Sequence, residues 1–247
     1  MGKQSLILLT SLALSFTSLA ENPAETSEKT SGAVLRAMAD SKTLEGVPFR
    51  EVVFAATGCR VLSVDPAKDQ EWLKKLGQVL TRVLKTLNDP SHAVQDGGRI
   101  NEASRFIENE LMTELNAIPG WRGSIPPTAT QTRQRSGYPD LRLELEDKRV
   151  VYLDPKLHAA DSRTSSFRAF YFEPKKETLK ITEHAIHLLV SVSHSPHPQG
   201  GIRFESWELI DIADMPLRLK AEFQASNREI FEKSRIVAKS QTQASEP

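Results

Sequence analysis

The chain has 247 residues, with 32 lysines and arginines against 32 aspartates and glutamates, so its formal net charge is zero. That length suits one well-cored domain with appendages, and the charge balance excludes a surface that coats nucleic acid wholesale while leaving room for a local basic groove. The one cysteine, Cys59, excludes an intramolecular disulfide, so stability must come from an ordinary core.

The first twenty residues carry one early charge, Lys3, then an uncharged apolar run from Leu6 to Leu19. Small residues Ser18 and Ala20 precede Glu21. This is the layout of a secretory signal peptide, which predicts cleavage near Ala20 and an exported protein, periplasmic or secreted, with no membrane anchor afterwards. The run is short for a membrane span and holds several serines and threonines. Residues 21–32 are polar and read as a disordered leader, and 234–247 as a disordered tail. A single domain is expected over 33–233, with its core at about 99–215.

Within that domain, "FREVVFAATGCRVLSV" reads as two short strands around Thr57-Gly58, the start of an N-terminal portion over 49–88. Asp65-Pro66 is a helix start, and Trp72, Leu76, Val79, Leu80, Val83, Leu84 and Leu87 recur at helical spacing, predicting an amphipathic helix over 67–88. A second helix is expected over 100–117, with Ile100, Ala103, Ile107, Leu111 and Leu115 as its buried stripe. A polar connection follows, with a short strand around Trp121. The hairpin "YPDLRLELEDKRVVYLDPKL" comes next, then a strand-like "SSFRAFYFEP". Residues 182–190 read as a helix running into a strand, "IRFESWELIDI" as a strand, and "LRLKAEFQASNREIFEK" as a closing helix. This order predicts an α/β domain with a mixed sheet flanked by helices.

The hairpin carries the chemistry. Residues two apart on a strand share a face, so Asp154 and Lys156 point the same way. Asp140 joins them only in one register. A two-residue loop at Asp147-Lys148 would pair Asp140 with Pro155 and turn it to the opposite face. A three-residue loop, Glu146-Asp147-Lys148, pairs Leu141 with Leu153 and sets Asp140 against Asp154. Two convergent carboxylates suit a hard divalent cation such as Mg²⁺ or Mn²⁺. A neighbouring lysine can orient or deprotonate water and offset developing charge.

Pro139-Asp140, then an apolar strand ending in Asp154-Pro155-Lys156, resembles the PD-(D/E)xK motif of the restriction-endonuclease-like nuclease superfamily. The resemblance implies an α-β-β-β-α-β core and Mg²⁺-dependent hydrolysis of DNA phosphodiesters. Asp140 and Asp154 would be metal ligands, Lys156 would assist the attacking water, and the Pro155 carbonyl would be a further ligand. "IENELMTELNAIPGW" is similar to a helix of archaeal Holliday-junction resolvases, which matches Glu108 to an auxiliary metal-site glutamate; Glu102 and Glu110 are its rivals. Pro155 departs from the pattern, because it has no N–H to give a central strand.

Arg133, Arg135, Arg163 and Arg168, with Lys175 and Lys176, cluster around the hairpin in sequence and are read as DNA-backbone contacts, aided by Ser165 and Ser166. Each taken singly is equally well a solvated surface charge. Lys220, Gln224 and Asn227 share one helical face and would border a groove. His184-x-x-His187 and His194-x-x-His197 admit a zinc reading, but no cysteine or carboxylate completes an established signature. His187 is read instead as a packed core residue, and His194 as approaching the DNA. Two functions remain: a metal-dependent deoxyribonuclease, expected as a homodimer if it makes paired cuts, or a non-catalytic exported interaction protein on a nuclease-like fold.

Overall fold

The computed structural model describes residues 45–96, 100–159, 162, 170–175, 177–197, 200–219, 226–235 and 237–238. Glu45–Arg218 form one compact unit. The described residues beyond it include a short helix, Asn227–Ile230, where the Glu229 carboxylate accepts from the Ser226 backbone N–H at 2.5 Å, and a 3-10 turn at Lys233–Arg235.

The compact unit opens with β1 (Glu45–Pro48), which pairs antiparallel with β8 (Pro216–Arg218). Helix α1 (Phe49–Thr57) follows where two strands were expected. The apolar run resolves at helical period: Phe49 and Val53, four apart, are buried together. Gly58, at φ 73°, ends the helix by donating its N–H to Phe54 O at 2.8 Å, a left-handed cap that glycine adopts without strain. Only β2 (Val61–Leu62) remains of the expected strand pair.

Helix α2 (Gln70–Leu87) and helix α3 (Ile100–Asn116) lie within a residue or so of their expected ends, apart from the first residues of the 67–88 span, which form a turn. Ala103, Ile107, Leu111 and Leu115 line α3 and pack with Trp72, Leu76, Leu80 and Val83 of α2. Each fully buried leucine or isoleucine of that stripe contributes about 1.5–3 kcal/mol.

The main sheet has strand order β2-β6-β5-β4-β3, with β7 also pairing β6. Its strands are β3 (Arg122–Ser124), β4 (Leu141–Glu144), β5 (Val150–Ala159), β6 (Ala185–Pro196) and β7 (Ile202–Asp211). β5 and β2 run parallel to β6 and the other pairings are antiparallel, giving the expected mixed sheet. Val151 and Leu153 of β5 face the α2–α3 core, whereas Val150 and Tyr152 join a second core with Phe49, Val53 and Tyr138. Asp154 and Lys156 continue that second face by strand alternation.

Two expectations are corrected downstream. Residues 182–190 contain no helix; "AIHLLVSV" begins the twelve-residue β6, whose near-continuous apolar run reflects a central strand covered on both faces. The closing helix does not begin at Leu217, because Pro216–Arg218 is β8. Lys220 and Gln224 lie outside the described residues, and Asn227 starts the short helix beyond the compact unit. In the crossover from β5 to β6, no helix occurs among the described residues.

Candidate active site

The β4–β5 hairpin takes the three-residue loop. Leu141 pairs with Leu153 and Glu144 with Val150, while Leu145 N donates to Arg149 O at 2.9 Å. Lys148 N donates to Leu145 O at 3.0 Å, and Lys148 sits at φ 71°, the left-handed position that closes such a loop. One step past the Leu141–Leu153 pair, Asp140 therefore faces Asp154. The register that would have separated them, and favoured a non-catalytic protein, is not adopted.

Pro155 is accommodated by the uneven strand lengths. β5 continues to Ala159, so Pro155 is not at a strand end, but β4 pairs with β5 only as far as Leu153. Beyond that point β5 has β6 as its partner, with Pro155 beside Val190. No β4 acceptor is left waiting for the missing N–H.

Asp140, Asp154 and Lys156 open into a cavity of about 390 Å³, lined also by Ser136, Gly137, Tyr138, Tyr171, Glu173 and Thr178. Asp154 is almost wholly buried, and Lys156 Nζ approaches its Oδ2 at 2.5 Å. That contact is an ion pair without hydrogen-bond direction, so the buried Oδ2 has no properly aimed donor. The Asp140 pKa is pushed up to about 8, by burial first and then by the charge of Asp154; Lys156 pulls it down and Glu108 adds to the rise. Asp140 therefore keeps its proton at neutral pH unless a cation joins the two carboxyl groups.

Glu108 of α3 is part of this electrostatic group, since the charge of Asp154 raises its pKa and its own charge raises that of Asp140. Burial is the main cause of its raised pKa, and Arg135 opposes the rise. Arg135 donates to Glu108 Oε2 at 2.9 Å and to Asn109 Oδ1 at 2.7 Å. The rivals lie elsewhere: Glu110 stands 3.6 Å from His92 Nε2, and Glu102 is exposed. Arg133 is exposed, whereas Arg163, Arg168, Ser165, Ser166 and Lys176 lie outside the described residues. Lys175 pairs with Glu173.

Several groups around the site have no signature in the sequence. Tyr138 is buried, and its pKa is raised, by burial first and then by the charges of Asp154 and Asp140, so the phenol stays neutral. Its Oη lies 2.8 Å from Nδ1 of His187, which burial keeps unprotonated with a pKa of about 3. His187 is thus the core residue expected of it, held among Phe49, Tyr138 and Tyr152. Gly137, at φ 87°, brings the chain so close to Thr178 that a Cβ would lie 2.0 Å from its carbonyl oxygen. Lys180 is fully buried beside the same segment. His184 accepts from Arg60 N at 3.0 Å, and His194 is half-buried on β6.

The donor set fits a divalent cation. Two carboxylates, one with an oxygen lacking a directed donor, are what a hard cation that keeps several waters uses. Among the described residues no group of three or more His, Cys, Asp or Glu is placed to hold a metal, so water and substrate oxygens would complete the shell.

A mixed sheet flanked by helices, whose hairpin ends in facing carboxylates and a lysine, defines a restriction-endonuclease-like protein. Residues 43–234 match the model of the Type II restriction enzyme MjaV family, and the chain belongs to that family. It is 28% identical over 208 residues to "Type II restriction enzyme MjaV" of Methanocaldococcus jannaschii, an alignment covering 78% of this chain and 89% of that protein.

Family membership overturns the export reading of the first twenty residues. Type II restriction enzymes are DNA-cleaving hydrolases that typically act in the cytoplasm, which leaves the signal-peptide, secreted and periplasmic expectations without support. A single lysine before a short run of Leu, Ser and Thr is a pattern of low specificity. That segment and the leader lie outside the described residues.

Proposed function

We propose that this chain is a DNA endonuclease that depends on a divalent cation, Mg²⁺ or Mn²⁺, and hydrolyses phosphodiester bonds where Asp140, Asp154 and Lys156 meet. The observation that carries the reading is their convergence on one cavity in a member of a restriction-enzyme family. Asp140 and Asp154 would hold the cation, with the Pro155 carbonyl as a third donor and Glu108 as an auxiliary group reached through water. The bound cation would polarise a phosphoryl oxygen and lower the pKa of the attacking water.

The residues themselves divide the remaining work. Lys156 orients that water and offsets the negative charge gathering on the phosphate as the water–phosphorus bond forms and one ester bond breaks. Tyr138, neutral and buried, walls the cavity and limits solvent on that side. Arg133 and Arg135, with Arg163 and Arg168, contact phosphates of the duplex and fix its position without reading sequence. A cut through both strands needs two sites, which a homodimer would supply.

The test is cleavage of linear, circular and branched DNA by the full chain in Mg²⁺, Mn²⁺ and EDTA. Cleavage in either metal and none in EDTA is expected; equal cleavage in EDTA would sink the metal-dependent reading.

A further inference from the structure

The cationic groups nearest the acidic site are unequal in one respect. Lys180 is the one lysine or arginine among the described residues that is fully buried. Its Nζ donates to the carbonyls of Gln134 at 3.4 Å and Arg135 at 3.2 Å, and its backbone N–H donates to Tyr138 O at 3.0 Å. The same two chain segments are joined at Gln134 Nε2 to Glu177 O, 3.0 Å, and by the close passage of Gly137 over Thr178. The segment so held runs from Arg135, whose guanidinium binds Glu108, to Asp140.

Neutral carbonyls do not account for a buried ammonium. Two long hydrogen bonds to neutral groups offset only part of the cost of taking an ammonium out of water. Burial lowers the Lys180 pKa, and the charges of Asp140, Glu108 and Asp154 oppose that fall. The charged form of Lys180 is thus favoured by the same three carboxylates that make up the acidic site.

We infer that Lys180 is a positioning residue for the cation site: its buried ammonium pins the carbonyls of Gln134 and Arg135, holding Arg135 against Glu108 and steadying the segment that leads to Asp140. It does not touch substrate. It acts by fixing the ligand geometry from behind, as partners of metal-binding carboxylates do elsewhere. The inference rests on the reading of Asp140 and Asp154 as cation ligands.

The test is Mn²⁺ binding to the full chain without DNA, followed by electron paramagnetic resonance, in the parent, Lys180→Met and Asp154→Asn. Lys180→Met keeps the apolar stem and removes the ammonium. It is expected to stay folded by circular dichroism and to bind Mn²⁺ about tenfold to a hundredfold more weakly. In cleavage assays of protein shown to be folded, the rate at the parent's half-saturating Mn²⁺ should fall and excess Mn²⁺ should restore it, whereas a smaller folded fraction would leave the Mn²⁺ requirement unchanged. A folded Lys180→Met that binds Mn²⁺ within about twofold of the parent overturns the inference. If that variant does not fold, Lys180→Gln is measured by the same criterion; failure of both to fold assigns Lys180 to the scaffold and also overturns it. Parent protein that binds no Mn²⁺ overturns the cation-site reading itself, whereas parent binding lost in Asp154→Asn but kept in Lys180→Met overturns the role of Lys180 alone.

Discussion

Asp140 and Asp154 face each other one step beyond the Leu141–Leu153 pair of the β4–β5 hairpin, within hydrogen-bonding reach of each other's carboxyl groups. Their proximity has a measurable consequence for stability. In the folded, metal-free protein the Asp140 pKa is pushed from 3.8 to about 8, so between these values the native state holds a proton that the unfolded chain lacks. Stability must then fall as pH rises through that window, because the unfolded state binds fewer protons. Urea unfolding of the metal-free protein should show this slope above about pH 6.5, since below it His187, lowered by burial from 6.5 to about 3, gives an opposing rise, and Asp140→Asn should flatten it. A parent whose stability rises steadily from pH 6.5 to about 8 would contradict the raised pKa.

Mg²⁺ should cancel that slope. A cation held by both carboxylates favours their ionised forms, so its stabilising effect should grow with pH across the same window. The check is the melting temperature with and without Mg²⁺ at the two ends of the window. An increment that does not change with pH would place cation binding elsewhere.

The hairpin register is legible in the sequence only as a choice. Alternation put Asp154 and Lys156 together, but whether Asp140 joined them turned on one residue of loop length. Lys148 at φ 71° decides it, and a lysine gives no hint of a left-handed position that glycine or asparagine would have signalled. Lys148→Gly should therefore stabilise the protein by about 0.5–1 kcal/mol, the left-handed strain relieved exceeding the lost, exposed contact with Glu144. Thermal unfolding measures it, and a clear destabilisation would argue against this loop.

The rest divides along similar lines. Helices α2 and α3 announce themselves because their apolar residues recur with one period over four or more turns. Helix α1 and strand β6 were misread because short or doubly buried apolar runs have no distinctive period, and only tertiary packing separates helix from strand there. Lys180 and Tyr138 carried no signal: a lysine between Leu179 and Ile181 looks like an outward-facing charge until the 134–138 segment is seen to cover it.

The proposed phosphate contact of Arg135 would couple the site to DNA. Arg135 is partly exposed and paired with Glu108, and as a phosphate contact it would contribute one released counterion. Arg135→Gln should weaken binding of uncleaved DNA, measured in Ca²⁺, at every sequence alike and lower the slope of log affinity against log salt by about 1. An unchanged slope would remove Arg135 from the DNA interface.

Gly77 provides a control on the opposite side of the sheet. A Cβ there would lie 2.8 Å from Cη2 of Trp207, whose Nε1 donates to Thr81 Oγ1 at 3.1 Å. Gly77→Ala should cost about 1–3 kcal/mol by displacing the indole. Mn²⁺ affinity should be unchanged at temperatures where the variant is folded, and a loss of affinity there would show that the two faces are coupled.

The most direct measurement is single-turnover DNA cleavage in Mg²⁺ by the parent chain and by Asp154→Ala and Lys156→Ala, each shown to be folded. The parent should cleave, and each variant should be slower by a factor on the order of 10³. Variants that cleave at the parent's rate would contradict the assignment of the site to Asp140, Asp154 and Lys156.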